Sequence, residues 1–214
     1  MDATRILAIR HGETAWNVAT RIQGHLDIPL NDAGLRQADH LAQALAQRDA
    51  VNAIYASDLS RAHTTASAIA KAMGQQVTAH TGLRERHFGE FQGRTFAEIE
   101  AELPDHAFQW RKRVPDWTPP GGGESLVALR ERILKTVDEL AAQHTGQQIV
   151  LVAHGGVLDI LYRAATRLDL QAPRTWQLTN TAVNRLLWTP QGLSLVGWGD
   201  TSHLDALGKD ETTA

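Results

Sequence analysis

The chain has 214 residues, of which 43% are hydrophobic and 21% charged, and it contains no cysteine. This length suits one large domain with a substantial core. Without cysteine there is no disulfide framework, no thiolate metal site and no nucleophilic thiol. The formal net charge of −3 provides no overall basic field, which argues against nucleic acid as a partner.

The hydropathy pattern argues against a membrane protein. No apolar run approaches the ~18 residues of a membrane span, and the first residues lack the basic and apolar regions of a secretion signal. We therefore expect a cytoplasmic protein that does not bind membranes.

Short apolar runs alternate with stretches of helical periodicity along the chain. Asn31 is suited to cap the first long helix, and Ser125 and Gly146 to cap and stop a later one. The predicted strands are 6–9, 53–55, 77–79 and 149–152. The predicted helices are 32–48, 60–73, 157–168 and the one bounded by Ser125 and Gly146.

This alternation predicts a single α/β domain over residues 1–214. We expect three layers, with a mostly parallel central sheet and helices on both of its faces. Residues 183–188 and 193–198 flank Thr189-Pro190-Gln191-Gly192, a pattern typical of a β-hairpin. Segment 103–123, rich in proline, glycine and tryptophan, is expected to form a lid-like excursion, and 201–214 a flexible tail.

The strand ends carry the candidate functional residues, because ligands of open α/β sheets bind beyond the carboxyl ends of the strands. The first strand ends in Arg10-His11-Gly12, the second leads to Arg61, and the 149–152 strand leads to His154-Gly155. Each residue alone has an ordinary structural explanation. Together they predict a phosphoryl-transfer site, because arginine forks match phosphoryl oxygens and imidazole can act as a nucleophile.

Glu85 lies on a loop that follows the predicted strand at 77–79, and we expect it to join this group. A carboxyl group can exchange a proton with the leaving oxygen. Other glutamates lie nearby in the sequence, so Glu85 is a candidate only in combination with the strand-end residues. These neighbours are Glu90, Glu98, Glu100 and Glu102.

Arg10-His11-Gly12, followed by Thr14 and Asn17, resembles the nucleophile loop of the histidine phosphatase superfamily (branch 1), which includes the cofactor-dependent phosphoglycerate mutases. The resemblance extends over about residues 5–198. Asn31 departs from the Thr of many members, but both residues cap helices. The pattern continues through Gln23-Gly24, Asp27, Pro29-Leu30, Gly34, Gln37-Ala38, Ser57 to Ala62, Thr64 to Ala66, Leu83 to Glu85 and Val152 to Gly156.

The resemblance implies a phosphoglycerate-mutase-like fold and a division of roles at the site. His11 would be the nucleophile that becomes a phosphohistidine, and Glu85 the general acid. Arg10, Arg61 and His154 would hold the transferring phosphoryl group. This scheme requires neither a metal nor another cofactor.

Elementary electrostatics agrees with these roles. Two nearby guanidinium groups should lower the pKa of His11 and keep its imidazole neutral and nucleophilic. The remaining candidates would bind phosphate or adjoining substrate, although Asn17 could instead stabilise its loop. They are Gly12, Asn17, Gln23, Gly24 and Gly155.

Three alternatives remain from the sequence. A metal site of His11, His154, Glu13 and Asp159 is disfavoured, because recognisable ligand spacing is missing and the arginines would repel a dication. A catalytically inactive binding module is disfavoured because every expected catalytic position is filled. A phosphoglycerate mutase is the main competitor to a phosphatase.

A mutase must bind a second anionic group, so it needs further cations. We favour the phosphatase because the chain is shorter than family mutases and 85–93 resembles the small phosphatases. The available cations are Arg84, Arg86, Arg94, Arg111, Lys112 and Arg113.

The expected partner is a small phosphorylated metabolite whose identity the sequence does not give. Several aromatic residues could line its pocket or pack in the core. The oligomeric state is also open, and a homodimer through a sheet edge or a helix face is compatible with the sequence. The aromatic candidates are Trp16, Phe88, Phe91, Trp110 and Trp117.

Overall fold

The computed structural model describes residues 3–205. Within them, six strands form one sheet in the order β3-β2-β4-β1-β5-β6. The first four in this order are mutually parallel, and β5 is antiparallel to both β1 and β6. The strands are β1 Thr4–Arg10, β2 Ala53–Ala56, β3 Val77–Ala79, β4 Gln148–Ala153, β5 Val183–Thr189 and β6 Gly192–Asp200.

Helices cover both faces of this sheet, so the predicted three-layer α/β fold is confirmed. Helices α2 and α3 pack their apolar sides against one face of the sheet, and α6 and α7 pack theirs against the other face. The helices are α1 Ala15–Val18, α2 Asp32–Arg48, α3 Ser60–Met73, α4 Phe96–Glu102, α5 Pro104–Arg111, α6 Leu126–Ala142 and α7 Gly155–Thr166.

Strand β4 is buried along its whole length, which explains its unbroken apolar run. It lies between β2 and β1 in the middle of the sheet. Helix α7 begins at Gly155, only one residue beyond His154, so it starts two residues earlier than predicted. The carboxyl end of the central strand therefore passes directly into a helix N-terminus.

Other element boundaries also differ from those predicted. Helix α6 ends at Ala142 rather than near Gly146, and α7 ends at Thr166 because Arg167 adopts a left-handed conformation, with φ of 58°. Thr189 and Gly192 pair with each other, so the hairpin turn contains only Pro190-Gln191.

The segment 103–123 contains α5 and then an extended loop. Trp110 stacks on both Phe88 and Phe91, with ring centroids 5.3 Å apart in each case. Fully buried Phe91 and Ile99 form the centre of this small aromatic cluster. It gives the segment an apolar core of its own, outside the two large clusters that cover the sheet.

The segment expected to be a flexible tail is structured at its start. Ser202–Leu204 forms a short 3₁₀ helix in which His203 is only 8% exposed, and Arg48 donates to the Ser202 hydroxyl at 3.2 Å. The prediction of a flexible tail is therefore wrong for residues 201–205, which pack against α2. Residues 206–214 lie outside the described residues. Within 3–205, no helix is both long and apolar enough to span a membrane.

Asn31 caps α2, as predicted. Its side-chain oxygen accepts from the Gly34 N–H at 2.8 Å, and its amide donates to Glu13 at 2.8 Å. We expect Asn31→Ala to lower the free energy of unfolding by about 1 kcal/mol, because the first turn of α2 loses its cap. Urea denaturation measures this change. Asn31→Ser keeps a capping oxygen and should lose less; equal losses would contradict the capping role.

Candidate active site

The ends of β1 and β4 bring two histidines together. Arg10 lies opposite Ala153 in the parallel ladder, and the His11 N–H donates to the Ala153 carbonyl at 3.0 Å. His11 and His154 therefore leave neighbouring strands side by side, with ring centroids 5.3 Å apart. This is the convergence that the strand ends predicted.

The environment of His11 keeps its imidazole neutral. The side chain is buried, and Nδ1 lies 2.7 Å from the Gly12 carbonyl oxygen, which can only accept a hydrogen bond. We therefore assign the proton to Nδ1, which leaves the lone pair on Nε2. Burial, followed by the charges of Arg10 and Arg61, holds the pKa of His11 well below its ordinary value. The ring is therefore neutral, with the lone pair of Nε2 available.

Two arginines lie beside it, Arg61 buried and Arg10 partly buried. Arg61 is 1% exposed, and its terminal nitrogens donate to the carbonyls of Leu26 at 2.9 Å and Gly24 at 2.7 Å. Burial lowers the pKa of Arg61 to about 10, so the group is still charged at neutral pH. Arg10 donates to the Leu178 carbonyl at 2.5 Å.

The Nε–H groups of Arg10 and Arg61 are buried and have no hydrogen-bond partner within residues 3–205. Buried donors normally find an acceptor, so these two indicate a ligand that supplies one. Phosphoryl oxygens match them in both charge and geometry.

His154 is fully buried, and neither ring nitrogen has a partner in the described part of the chain. Burial, followed by the positive charge of Arg61, holds the pKa of His154 well below its ordinary value. A neutral ring can still donate one hydrogen bond to a phosphoryl oxygen. The structure thus favours a neutral His154.

Glu85 reaches the same site from the loop after β3. Its carboxylate accepts from the Arg86 N–H at 2.7 Å and from the Gly156 N–H in the first turn of α7 at 3.0 Å. The Glu85 carbonyl is held in turn by His25 at 2.8 Å, a contact that the sequence analysis did not anticipate. A side chain at position 156 would collide with the Glu85 carboxylate and displace it from this position.

A cavity of about 180 Å³ collects most of the predicted residues. The catalytic candidates that line it, Arg10, His11, Arg61 and Glu85, are joined by Asn17, Gln23 and Gly24.

The roles expected for the smaller residues are partly corrected. The Gly12 N–H donates to the Thr65 hydroxyl at 3.0 Å, so it is occupied rather than free for phosphate. The Gly24 carbonyl accepts a hydrogen bond from Arg61. The Asn17 side-chain oxygen accepts from the Thr14 N–H at 3.0 Å in a capping box, which supports the loop-stabilising role of Asn17. Its place on the cavity wall leaves room for a second role.

A second cavity of about 420 Å³ adjoins the first and shares Arg10 and Phe88 with it. Gly155 lines this second cavity. Part of its wall comes from the loop between α7 and β5, which sequence reasoning missed because that loop has neither periodicity nor a motif. The residues of this loop that line the cavity are Arg174, Gln177, Leu178 and Thr179.

The candidate cations separate into two groups. Arg86 and Arg113 line the second cavity, whereas Arg84 pairs with Asp58 at 2.5 Å. Arg94 and Arg111 pair with Glu102 and Glu100 respectively, and Lys112 is exposed.

The acids of the alternative metal site are engaged elsewhere. Asp159 accepts from Arg113 at 2.7 Å and from Arg163 at 2.9 Å, and Glu13 accepts from Asn31. No group of three or more histidines or carboxylates placed to hold a metal ion occurs in residues 3–205.

Comparison with known proteins identifies the family. The chain matches the histidine phosphatase superfamily (branch 1) over residues 6–201 and belongs to it. It is 39% identical to phosphoglycerate mutase-like protein 4 of Arabidopsis thaliana, over 97% of this chain and 90% of that protein. It is 37% identical to the metal-independent phosphoserine phosphatase of the same plant, over 97% of this chain and 86% of that protein.

A solved structure gives the same assignment. The mycobacterial glucosyl-3-phosphoglycerate phosphatase superposes with a TM-score of 0.83 at 34% identity, over 93% of this chain and all of that one. The fold predicted from the resemblance is therefore confirmed.

The buried histidines make folding stability depend on pH. Unfolded histidine titrates near pH 6.5, whereas folded His11 and His154 stay neutral below that pH. The free energy of unfolding should therefore be highest above about pH 6.5 and fall as the pH is lowered, by up to about 1.4 kcal/mol per pH unit for each histidine. Urea denaturation between about pH 5 and 7 measures the slope.

His11→Asn and His154→Asn should each reduce that slope, because one titrating group is removed from the unfolded state. A slope that neither substitution changes would contradict the assignment of neutral histidines.

Proposed function

We propose that this protein is a metal-independent phosphatase that hydrolyses a phosphomonoester of a small metabolite through a phosphohistidine at His11. One observation supports the proposal most strongly. The neutral His11 ring lies beside two arginines whose buried Nε–H donors have no partner within residues 3–205, and Glu85 shares the same cavity. Two relatives named as phosphatases support the same reaction class.

In the first step, Arg10 and Arg61 bind the phosphoryl oxygens and orient phosphorus toward Nε2 of His11. The Nε2–P bond forms while the ester P–O bond breaks, and its electron pair goes to the leaving oxygen. The carboxyl group of Glu85 gives that oxygen a proton. Arg10, Arg61 and His154 stabilise the charge that spreads over the equatorial oxygens.

In the second step, water attacks phosphorus from the side that the alcohol has left. Glu85, now a carboxylate, takes the proton from this water. The P–N bond breaks and its electron pair returns to Nε2, which regenerates neutral His11 and releases inorganic phosphate. The same carboxyl group thus acts as acid and then as base.

A mutase is the second candidate, since one relative is named phosphoglycerate mutase-like. The two reactions share the phosphohistidine and differ in whether water or a phosphoglycerate accepts the phosphoryl group. Release of inorganic phosphate from 3-phosphoglycerate indicates the phosphatase. Formation of 2-phosphoglycerate that a bisphosphoglycerate primer stimulates would instead indicate the mutase.

The nucleophile can be tested directly with p-nitrophenyl phosphate in the presence of EDTA. We expect wild-type turnover under these conditions and a loss of at least about 10³-fold in His11→Ala, because no other group replaces Nε2. Trapping with a ³²P-labelled ester should give an alkali-stable, acid-labile phosphoprotein in the wild type alone. His63→Asn, on α3 and outside both cavities, is the matched control. Full activity in His11→Ala, or turnover that EDTA abolishes, would refute the proposal.

The position of Glu85 generates a second prediction. Gly156→Ala places a methyl group against its carboxylate and should displace it, whereas a methyl group at Gly155 meets its nearest neighbours at 3.8 Å. We expect Gly156→Ala to lower kcat for an alkyl phosphate by about 10²-fold, because the alkoxide loses its acid.

The loss should be much smaller for p-nitrophenyl phosphate, whose leaving group needs little protonation. Gly155→Ala should have a smaller effect on the alkyl substrate. Equal losses on both substrates in Gly156→Ala would show that Glu85 does not act as the acid.

A further inference from the structure

The loop that carries Glu85 has no regular secondary structure of its own. Residues 84–88 lie between two short 3₁₀ helices, so their main-chain groups are not paired in a strand or a helix. Within residues 3–205, the Glu85 carboxylate accepts hydrogen bonds from main-chain N–H groups alone, those of Arg86 and Gly156. The position of this carboxylate therefore depends on where the main chain of the loop lies.

One guanidinium group on α6 holds the main chain of this loop. Arg132 donates to the carbonyls of Gly82 and Arg84 at 2.9 Å each. It also donates to the Glu85 carbonyl at 3.3 Å. A side chain of a neighbouring helix thus supplies the donors that secondary structure does not supply to these three carbonyls.

The remaining donors of Arg132 fix the orientation of its guanidinium group. Its Nε–H and one Nη2–H donate to the two carboxylate oxygens of Glu124, at 2.8 and 2.7 Å. Arg132 therefore makes five hydrogen bonds, as many as a guanidinium group has N–H donors. A bidentate pair with a carboxylate fixes the plane of the guanidinium group as well as its place.

Glu124 also holds the chain on the other side of Glu85. Its main-chain carbonyl accepts from Nε of Arg86 at 2.7 Å, and its N–H donates to the His87 carbonyl at 2.8 Å. The loop is thus bound on both sides of Glu85, by Arg132 before it and by Glu124 after it.

The start of the loop packs closely against α6. A Cβ atom at Gly82 would collide with the hydroxyl of Thr136, one turn beyond Arg132. Leu83 is fully buried in the apolar cluster to which α6 contributes Ile133 and other residues. Groups held by a helix are placed more precisely than groups that depend on a loop alone. Helix α6 therefore provides a rigid reference for the position of the loop.

His25 gives the Glu85 carbonyl a second donor. Its Nε2 lies 2.8 Å from this oxygen, which can only accept, so Nε2 carries the proton. The preceding residue, Gly24, accepts from Arg61, so the support of Glu85 is continuous with that of a phosphate-binding candidate. Neither His25 nor Arg132 lines either cavity of the site. Both side chains therefore act through Glu85.

We propose that Arg132 is a positioning residue for the general acid Glu85, and that His25 assists it. The two side chains bind main-chain carbonyls and do not bond to the carboxylate itself, so they place the carboxyl group beside the leaving oxygen. The inference rests on the proposed phosphatase reaction, in which Glu85 gives the leaving oxygen a proton. Loss of Arg132 should then slow the release of poor leaving groups more than that of good ones.

Two aryl esters of similar shape test this role. The nitrophenol released from p-nitrophenyl phosphate needs little protonation, whereas the phenol released from phenyl phosphate is a weaker acid and needs more. The ratio of kcat/KM for p-nitrophenyl phosphate to that for phenyl phosphate reports the acid in the first step, because kcat/KM covers the steps up to release of the leaving group. We expect Arg132→Met to raise this ratio at least about 10-fold. Gly156→Ala, which displaces Glu85 directly, should raise it as well.

Arg132→Lys retains the charge opposite Glu124 but replaces a planar fork of five donors with three donors on one atom. It should also raise the ratio, and it tests the donors even where Arg132→Met fails to fold. Urea denaturation identifies the variants that fold.

A second pair of variants tests the donor from His25. His25→Leu should raise the ratio by about 3-fold, because the bond from Arg132 to the carbonyl remains. His25→Gln keeps an N–H donor and should restore the wild-type ratio. Arg130→Met is the matched control and should leave the ratio unchanged, since Arg130 is exposed on the same helix and lies outside both cavities of the site.

The results separate this inference from the proposed reaction. A wild-type ratio in Arg132→Lys, or an equal loss of kcat/KM on both esters in Arg132→Met, would overturn the inference. The phosphatase proposal would still stand in that case if Gly156→Ala raises the ratio. A ratio that Gly156→Ala does not change would remove Glu85 as the acid and this inference with it. Absence of p-nitrophenyl phosphate hydrolysis in the wild type would remove the phosphatase proposal itself.

Discussion

The parallel register between β1 and β4 determines the geometry of the whole site. The His11 N–H is bonded to the carbonyl of Ala153, so His11 and His154 emerge from neighbouring strands at the same level. A slip of one residue would turn every side chain of a strand to the opposite face of the sheet. Because β4 is buried on both faces, such a slip would exchange the side chains that pack in the two apolar clusters, Ile149 and Leu151 with Val150 and Val152, and would disrupt both. The packing of the sheet thus holds His11, the proposed nucleophile, in place.

The two cavities are built from different parts of the chain. His11 and His154 follow directly from strand ends, and Glu85 is bonded to the first turn of α7. Part of the wall of the second cavity comes instead from the segment that carries Arg113 and from the irregular loop that carries Arg174. Loops on a rigid scaffold can change in sequence without disturbing the sheet. One catalytic centre can therefore serve different phosphoesters.

The strand-end residues were predictable because local sequence determines them. An apolar run followed by Arg10-His11-Gly12 indicates a strand end, and the general rule for α/β sheets places ligand-binding residues there. Helix α2 was equally clear from its periodicity and its cap. Other features depend on contacts between distant segments, and no local pattern reports them. The bond from Gly156 to Glu85 joins positions 71 residues apart, and Arg113 reaches Asp159 across 46. The start of the expected tail was misjudged for the same reason, since His203 is buried by packing against other elements.

The Nε–H donors of Arg10 and Arg61, which have no partner within residues 3–205, also have a consequence for the proposed reaction. If they bind phosphoryl oxygens, they do so without distinguishing an ester from free phosphate, which carries the same oxygens. Inorganic phosphate formed in the proposed second step would then remain a ligand of the pocket that produced it. A site so well matched to the transferred group would retain its own product, and the escape of phosphate would compete with the entry of the next ester.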